Sequence, residues 1–424
     1  MSILTTFSKI FEKVLANQIS PFLDTVFSPQ LSAFRNGYSC QDALLSLTET
    51  WRDELRCGNK VGALLMDLSK AFDCMSHRLL LAKLAAYGTS PQAVSIIKSY
   101  LTNRQQRVKI GQHLSSWQTV QKGVPQGSIL GPILFNIFLN DLFYFIKRAL
   151  LTNYADDNTI SAANKLLEEI VRILTSETEI AIKWFQINLM SANPDKFQAI
   201  FLGTQGPLMP LNVADICIIP ETHVKLLGVN IDNKLNFTPH VQELCKKAGR
   251  QLNVLMRLSS YLSTKTKLAI YRCFVLSHFR YCAAVWHHCG ATSSAKLERI
   301  QVRALRFTFN DFDASSESLL SRAGLPTLEM GRLNEIATQT FKIINHLSPT
   351  YLSELVTIKP QIRDLRSGKL ILKIPIFRST KFGLHSFRYT AAKTWNKLPE
   401  ELRLKTSLSV FKKGLMDLSW SGAY

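Results

Sequence analysis

The chain has 424 residues, 46% of them hydrophobic and 19% charged, with 19 glycines and 15 prolines. That composition excludes a disordered, collagen-like or low-complexity chain, and the length predicts two or three domains. Fifty-one Lys and Arg against 31 Asp and Glu leave a formal charge of +20, which points to an anionic partner such as nucleic acid or an acidic membrane surface.

The charge is uneven. Residues 1–230 carry 21 basic and 18 acidic side chains and residues 231–424 carry 30 and 13, so the second half is expected to do the gripping. The first residues, through Lys13, mix charges into an amphipathic pattern where a secretory signal needs an unbroken apolar run. Residues 7–23 show helical spacing at Ile10, Val14 and Ile19 and are expected to stop near Pro21. A second helix is predicted over 40–57, with Ala43, Leu44, Leu47 and Trp51 on one face and Gly58 ending it. Val61 to Met66 is a short apolar run ending in Asp67, the pattern of a buried strand with a polar residue at its tip.

Helical patterns at 77–87 and 91–102 lead to a predicted hairpin of Gln106–Ile110 and Trp117–Val120 around Gly111. Lys122 to Ser128 is a loop with two glycines and a proline that runs into an apolar helix over 129–146. Gly131, Pro132, Asn136, Asn140 and Asp141 make that stretch a buried helix rather than a membrane span, so no membrane partner is expected. Leu150–Tyr154 and Asn158–Ser161 flank Ala155, Asp156 and Asp157 as a hairpin with two carboxylates at its turn. A helix at 165–187 and strands at 198–202 and 224–231 complete an α+β region. Beyond it come basic amphipathic helices at 239–261, 265–288 and 294–309 and a linker at 310–321. The tail begins helical and becomes strand-like around 369–377.

Eight cysteines without a Cys-x-x-Cys pair predict reduced thiols in an intracellular protein. Cys282, His287, His288 and Cys289 lack a convincing second pair for zinc and read as part of one apolar helix. Asp67, Asp156 and Asp157 are different. Each is predicted at a strand end, where rigid carboxylates suit hard cations, although a lone Asp beside a turn can also be a simple cap.

Leu65 to Asp73 (LMDLSKAFD), Lys122 to Pro132 (KGVPQGSILGP) and Tyr154 to Asp157 (YADD) resemble, in order and spacing, successive motifs of reverse transcriptases from non-LTR (LINE-type) retrotransposons. Gln30 to Gly37 (QLSAFRNG), Asn188–Lys196 and Leu226 to Asp232 (LLGVNID) resemble accessory motifs of the same family, and the stretch from Leu384 to Pro399 is similar to the ends of some such elements.

The resemblance implies an α+β right-hand polymerase fold. Partial fingers and a palm with an antiparallel sheet would occupy residues 1–232, a helical thumb 233–310, and a basic, mainly helical region of unknown role 311–424. Met1 falls within the first fingers motif, so an upstream endonuclease region is expected to be absent from this chain. The implied activity is RNA-directed DNA polymerisation on an RNA template and a DNA primer, with deoxynucleoside triphosphates as substrates. The alternative is a nucleic-acid-binding remnant without turnover.

By the same resemblance Asp67, Asp156 and Asp157 would hold two Mg²⁺ ions, or Mn²⁺ in their place, for a two-metal phosphoryl transfer. Phe72 would exclude the 2′-hydroxyl, Gln126 and Gly127 would border the incoming nucleotide, and Arg35 would hold its phosphates. Lys196 would protonate the departing pyrophosphate. Lys246, Lys247, Arg250, Arg257, Lys265 and Lys267 would face the phosphates of the template–primer duplex. A cytoplasmic ribonucleoprotein with later nuclear action is implied as well.

Overall fold

The structure, a computed structural model, describes residues 3–204, 209–360, 370–377 and 379–418. The α+β class expected from the sequence is the class observed. The chain divides into two units, Met1–Tyr38 with Val61–Glu221, and Ser39–Lys60 with Thr222–Tyr424.

The first unit is built on a five-stranded sheet of β1 (Lys60–Met66), β2 (Leu150–Tyr154), β3 (Asp157–Asn164), β4 (Gln198–Leu202) and β5 (Pro220–Glu221), in the order β5-β4-β1-β3-β2. β1 is central, and Val61 to Met66 are all buried, which explains a sequence without polar alternation. β4 runs antiparallel to it, pairing Val61 with Leu202 and Leu65 with Gln198. Helix Leu167–Ile187 presses against β1 at Gly62, where a Cβ would meet Ile170 Cγ2 at 2.5 Å and Leu174 Cδ1 at 2.9 Å. Only glycine lets the helix approach that closely.

Helix Leu130–Leu139 is buried over most of its length. Its start is held by Glu12, itself fully buried, whose carboxylate accepts the backbone N–H groups of Ile129 (2.6 Å) and Leu130 (3.3 Å). Free N–H groups and the helix dipole both favour an anion there. The expected helix over 129–146 tightens to a 3₁₀ turn at Asn140–Tyr144, where the buried Asn140 amide accepts from Ser28 N and donates to Val26 O. The first helix, Thr6–Val26, runs through Pro21 instead of stopping there. Proline costs it one hydrogen bond, and the fully buried Leu23 in the following turn offsets that loss.

The second unit is mainly helical. Helices Cys40–Arg56, Leu328–Ile344, Phe387–Lys397 and Leu408–Asp417 belong to it, and in their core Phe341 stacks on Phe411 with centroids 4.4 Å apart. Glu49 repeats the Glu12 device, accepting N–H bonds from Phe387 (3.0 Å) and Arg388 (3.2 Å) at a helix start. The single strand expected at 224–231 is a hairpin, His223–Leu226 with Val229–Asp232, because Leu227 and Gly228 both adopt positive φ.

Among the basic helices, Thr238–Arg257 and Ala291–Phe309 are observed. The stretch expected as one helix over 265–288 is broken. Tyr271–Leu276 widens to a π-helix, and Cys282 sits at φ 48°. The break leaves the Tyr281 carbonyl to the Trp286 indole N–H, 2.9 Å away. Ser316–Ala323, overlapping the end of the expected linker, is a capped helix with Leu319 and Ala323 buried.

Residue 369 of the expected strand lies outside the described residues, and 370–377 contain only a bridge from Leu372 to Ile358. The Asn396 side chain bonds both the N–H and the C=O of Leu372 at 2.8 Å, standing in for a neighbouring strand. Among the described residues no helix is long and apolar enough to cross a membrane.

Candidate active site

Asp67 follows β1 directly, so a fully packed strand fixes where its carboxylate leaves the sheet. The chain beyond is held too. Asp67 O accepts from Asn193 N at 3.0 Å, and Leu68 and Ser69 pair with Ala192 and Ser191. These contacts bring the segment ending in Lys196 to the carboxylate, and Lys196 Nζ lies 2.7 Å from Asp67 Oδ2. This hydrogen bond, and then the Asp67 charge, hold the exposed ammonium above its ordinary pKa.

The second and third carboxylates come from the β2–β3 hairpin, where Tyr154 pairs with Asp157. The turn is therefore Ala155–Asp156, with Asp157 already in the strand, and Ala155 takes φ 57°. Two asparagines, each 1% exposed, hold it from beneath. Asn153 Nδ2 donates to Ala155 O (2.7 Å) and to Asn158 Oδ1 (3.0 Å), and Asn158 Nδ2 donates to Asp156 O (3.1 Å). The carbonyls of the turn are satisfied on the inside, so the turn keeps its shape without using the Asp side chains. Sequence reading passed over both residues; the available signal was a polar amide on each side of an Asp pair within apolar strands.

The Asp157 carboxyl is pushed up to about 6, first by burial, then by the charges of Asp156 and Asp67, with Lys196 opposing. The three acids thus feel one another and one shared cation. Among the described residues no three His, Cys, Asp or Glu side chains are assembled closely enough to hold a metal ion as they stand. The donor set still fits one. Clustered carboxylate oxygens that repel one another and already attract an ammonium are the ligands that hard divalent cations take.

Phe72 is half-buried, stacked on Phe135 at 4.3 Å and edge-on to Phe34 at 6.0 Å. Gln126 is exposed and donates to both carboxylate oxygens of Asp73, at 3.1 and 3.2 Å. Gly127, at φ 105°, is exposed beside it. The loop is locked to the segment after Asp67: Gly123 N donates to Met75 O (2.7 Å), Val124 N to Phe72 O (3.0 Å), and His77 Nε2 bonds Gly123 O (2.7 Å). A Cβ on Gly123 would strike the Asp73 backbone at 2.7 Å. Asp73, the partner of Gln126, is a further residue that sequence reading did not single out.

Arg35 is largely enclosed by its own loop. Its side chain is only 7% exposed, paired with Asp24 (3.1 Å), donating to Ser28 O and Leu31 O, and lying over the Tyr38 ring at 4.3 Å. As placed, its Nε and Nη1 donors are engaged within its own loop.

In the second unit Lys246, Arg250, Arg257 and Lys265 are exposed. Lys247 pairs with Glu243 at 2.7 Å. Lys267 is 8% exposed and does not face solvent, because it lies on the inner side of the short helix Thr264–Ile270. Cys282 and Cys289 are buried thiols, and the His287 and His288 rings lie 4.9 Å apart.

Residues 1–231 match the family profile described as reverse transcriptase (RNA-dependent DNA polymerase). The chain is 26% identical over 321 residues to a probable RNA-directed DNA polymerase from transposon BS of Drosophila melanogaster, covering 72% of this chain and 35% of the relative. It is also 26% identical to the RNA-directed DNA polymerase from mobile element jockey of Drosophila funebris, with the same coverage, 72% and 35%. It therefore spans about a third of the length of these curated relatives. Among solved structures, telomerase from Candida tropicalis in complex with a fragment of telomeric RNA aligns at 14% identity over 75% of this chain and 56% of its own, with a TM-score of 0.40. With the profile matching more than half of the chain and the motif order running through that same half, the chain belongs to the reverse transcriptase (RNA-dependent DNA polymerase) family.

Proposed function

We propose that this chain is an RNA-directed DNA polymerase that extends a primer 3′-hydroxyl with deoxynucleoside triphosphates on an RNA template. The observation that carries the reading is the meeting of Asp67, Asp156 and Asp157 with Lys196 in the half that matches the family. In this reading residues 1–232 serve as partial fingers and palm, 233–310 as thumb, and 311–424 as a basic extension. The exposed Lys246, Arg250, Arg257 and Lys265 suit the phosphates of a duplex.

Members of the family use divalent metal ions; here Asp67, Asp156 and Asp157 would hold two Mg²⁺, which when bound neutralise the charge that builds on the attacking and departing oxygens. The residues do the rest. The 3′-oxygen bonds to the α-phosphorus as the bond to pyrophosphate breaks, and the hydroxyl proton passes to solvent water. Lys196, protonated and exposed, gives a proton to the departing pyrophosphate. Phe72, backed by Phe135, is a rigid wall against a 2′-hydroxyl. Gln126, oriented by Asp73, and the open backbone at Gly127 border the nucleotide.

Primer extension on an RNA template with Mg²⁺ tests the reading. Product from the wild type and none from Asp156→Asn is expected. Equal extension by both would remove Asp156 from the mechanism, and no extension by either with duplex binding intact would favour a nucleic-acid-binding protein without turnover.

A further inference from the structure

Between helix Pro91–Leu101 and the loop carrying Gln126 the chain makes a two-step hairpin. Gln105 and Gln106 pair with Thr119 and Gln118, and Lys109 and Ile110 pair with Leu114 and His113 around Gly111. Every residue from 105 to 119 is exposed. Ile110 is 73% exposed, Val108 61% and Trp117 55%, a concentration of apolar surface that the hairpin's own unit does not cover. Such surface marks a contact site more often than a bare loop.

The charge of the hairpin is one-sided. Residues 102–122 contain Arg104, Arg107, Lys109 and Lys122 and not one Asp or Glu. None of Arg104, Arg107 and Lys109 is ion-paired among the described residues. The Arg107 guanidinium lies 4.5 Å from the Trp117 ring centroid. The cation orients the indole and covers one of its faces, leaving the other for a flat partner. The root of the hairpin is firm: Lys122 bridges to Ser76, and Gly123 is bonded to Met75, beside the residues that hold Gln126.

We propose that this hairpin binds single-stranded nucleic acid, with an unpaired base stacked on Trp117 and its flanking phosphates on Arg107 and Lys109. The proposal rests on the polymerase reading for the source of the strand, the unpaired template next to the catalytic carboxylates. Single strands are held by this combination, since a free base has a face to stack and a duplex base does not. The absence of any carboxylate favours a polyanion over a protein partner.

The test compares two fluorescent RNA–DNA hybrids, one blunt and one with about eight unpaired template nucleotides. The Trp117→Ala variant should bind the overhang hybrid about 5- to 100-fold more weakly and the blunt hybrid as wild type does, with Trp117→Phe restoring the overhang preference. Joint replacement of Arg107 and Lys109 by Gln should reduce the salt slope of overhang binding by about 1.4, at about 0.7 per charge. Equal losses on both hybrids, or no loss on either, overturn the proposal. So does a wild type that sediments as a dimer and a Trp117→Ala variant that sediments as a monomer, which would give the face to a second copy. Extension by the wild type is read separately: its absence would sink the polymerase reading, while overhang binding still decides the hairpin.

Discussion

Lys196 Nζ and Asp67 Oδ2 stand 2.7 Å apart although the two residues are 129 positions apart in the chain. A cation is thus held against the foremost of three acids, and in the proposed mechanism it is the donor of the proton that the leaving group takes. Replacing Lys196 by Gln should slow single-turnover extension by about 10²-fold or more, the range for loss of a positioned general acid. Arginine should keep the ion pair with Asp67 but restore little of the rate, because it gives up its proton poorly. A Gln variant with an unaltered rate and pH profile would assign Lys196 a merely structural role.

The Asn153–Asn158 pair under the Ala155–Asp156 turn predicts a loss larger in activity than in stability. Asn153→Ala strands the Ala155 carbonyl and the Asn158 amide oxygen in a buried site, which should cost about 1–3 kcal/mol. Denaturant unfolding measures that cost, and extension rates at a temperature where the variant stays folded measure the effect on Asp156. A variant with reduced stability and full activity would show that the turn keeps its shape unaided.

Phe72 is wedged between Phe135 and Phe34, so its ring cannot move aside easily. Phe72→Val should lower discrimination against ribonucleotides by about 10- to 200-fold, the usual worth of one steric contact in a pocket. Competition between each deoxynucleotide and its ribonucleotide during extension reads this directly. Unchanged preference would take the gate away from Phe72.

Glu12 is buried and accepts two N–H bonds at the start of the central helix Leu130–Leu139. Glu12→Ala should destabilise the first unit by about 2–4 kcal/mol, since two buried donors lose a charged acceptor, whereas Glu12→Gln keeps one acceptor and should lose less. Thermal unfolding of the two variants would show the order, and Ala no worse than Gln would argue against the cap.

Burial pulls His240 down to about 4 and His287 down to about 3. Both are neutral when folded, while the unfolded chain takes up protons below about 6.5. Their stabilising effect is therefore complete above that pH and is lost as pH falls toward 4, by about 2 kcal/mol each at pH 5. Glu49 and Asp42, both raised by burial, act in the opposite sense. Comparing urea midpoints at pH 7.5 and 5 for wild type and His240→Asn isolates the histidine, and a variant with the same pH dependence as wild type would refute the assignment.

Much of the first unit was legible without coordinates. An unbroken apolar run ending in Asp67, a two-glycine loop before an apolar helix, and an Asp pair between apolar strands are local patterns, and each was realised as the local chemistry required. The strand at 224–231 and the helix at 265–288 were misread because their breaks fall at Leu227 and Cys282, residues that take positive φ only under tertiary constraint.

The sequence by itself determined most of the element types and the order in which the three acids arrive, because periodicity and turn residues are local, and its motifs carried the resemblance to the family. Which groups those residues meet was decided by packing alone. Arg35 looks like a free cation in the sequence and meets Asp24, Tyr38 and two carbonyls in the fold. Lys267 belongs to a basic stretch and is turned inward. Lys196 finds Asp67, Gln126 finds Asp73, and Glu12 finds a helix start more than a hundred residues away. A hydrogen bond acts over about 3 Å, and only the folded core decides which distant residues come within that reach.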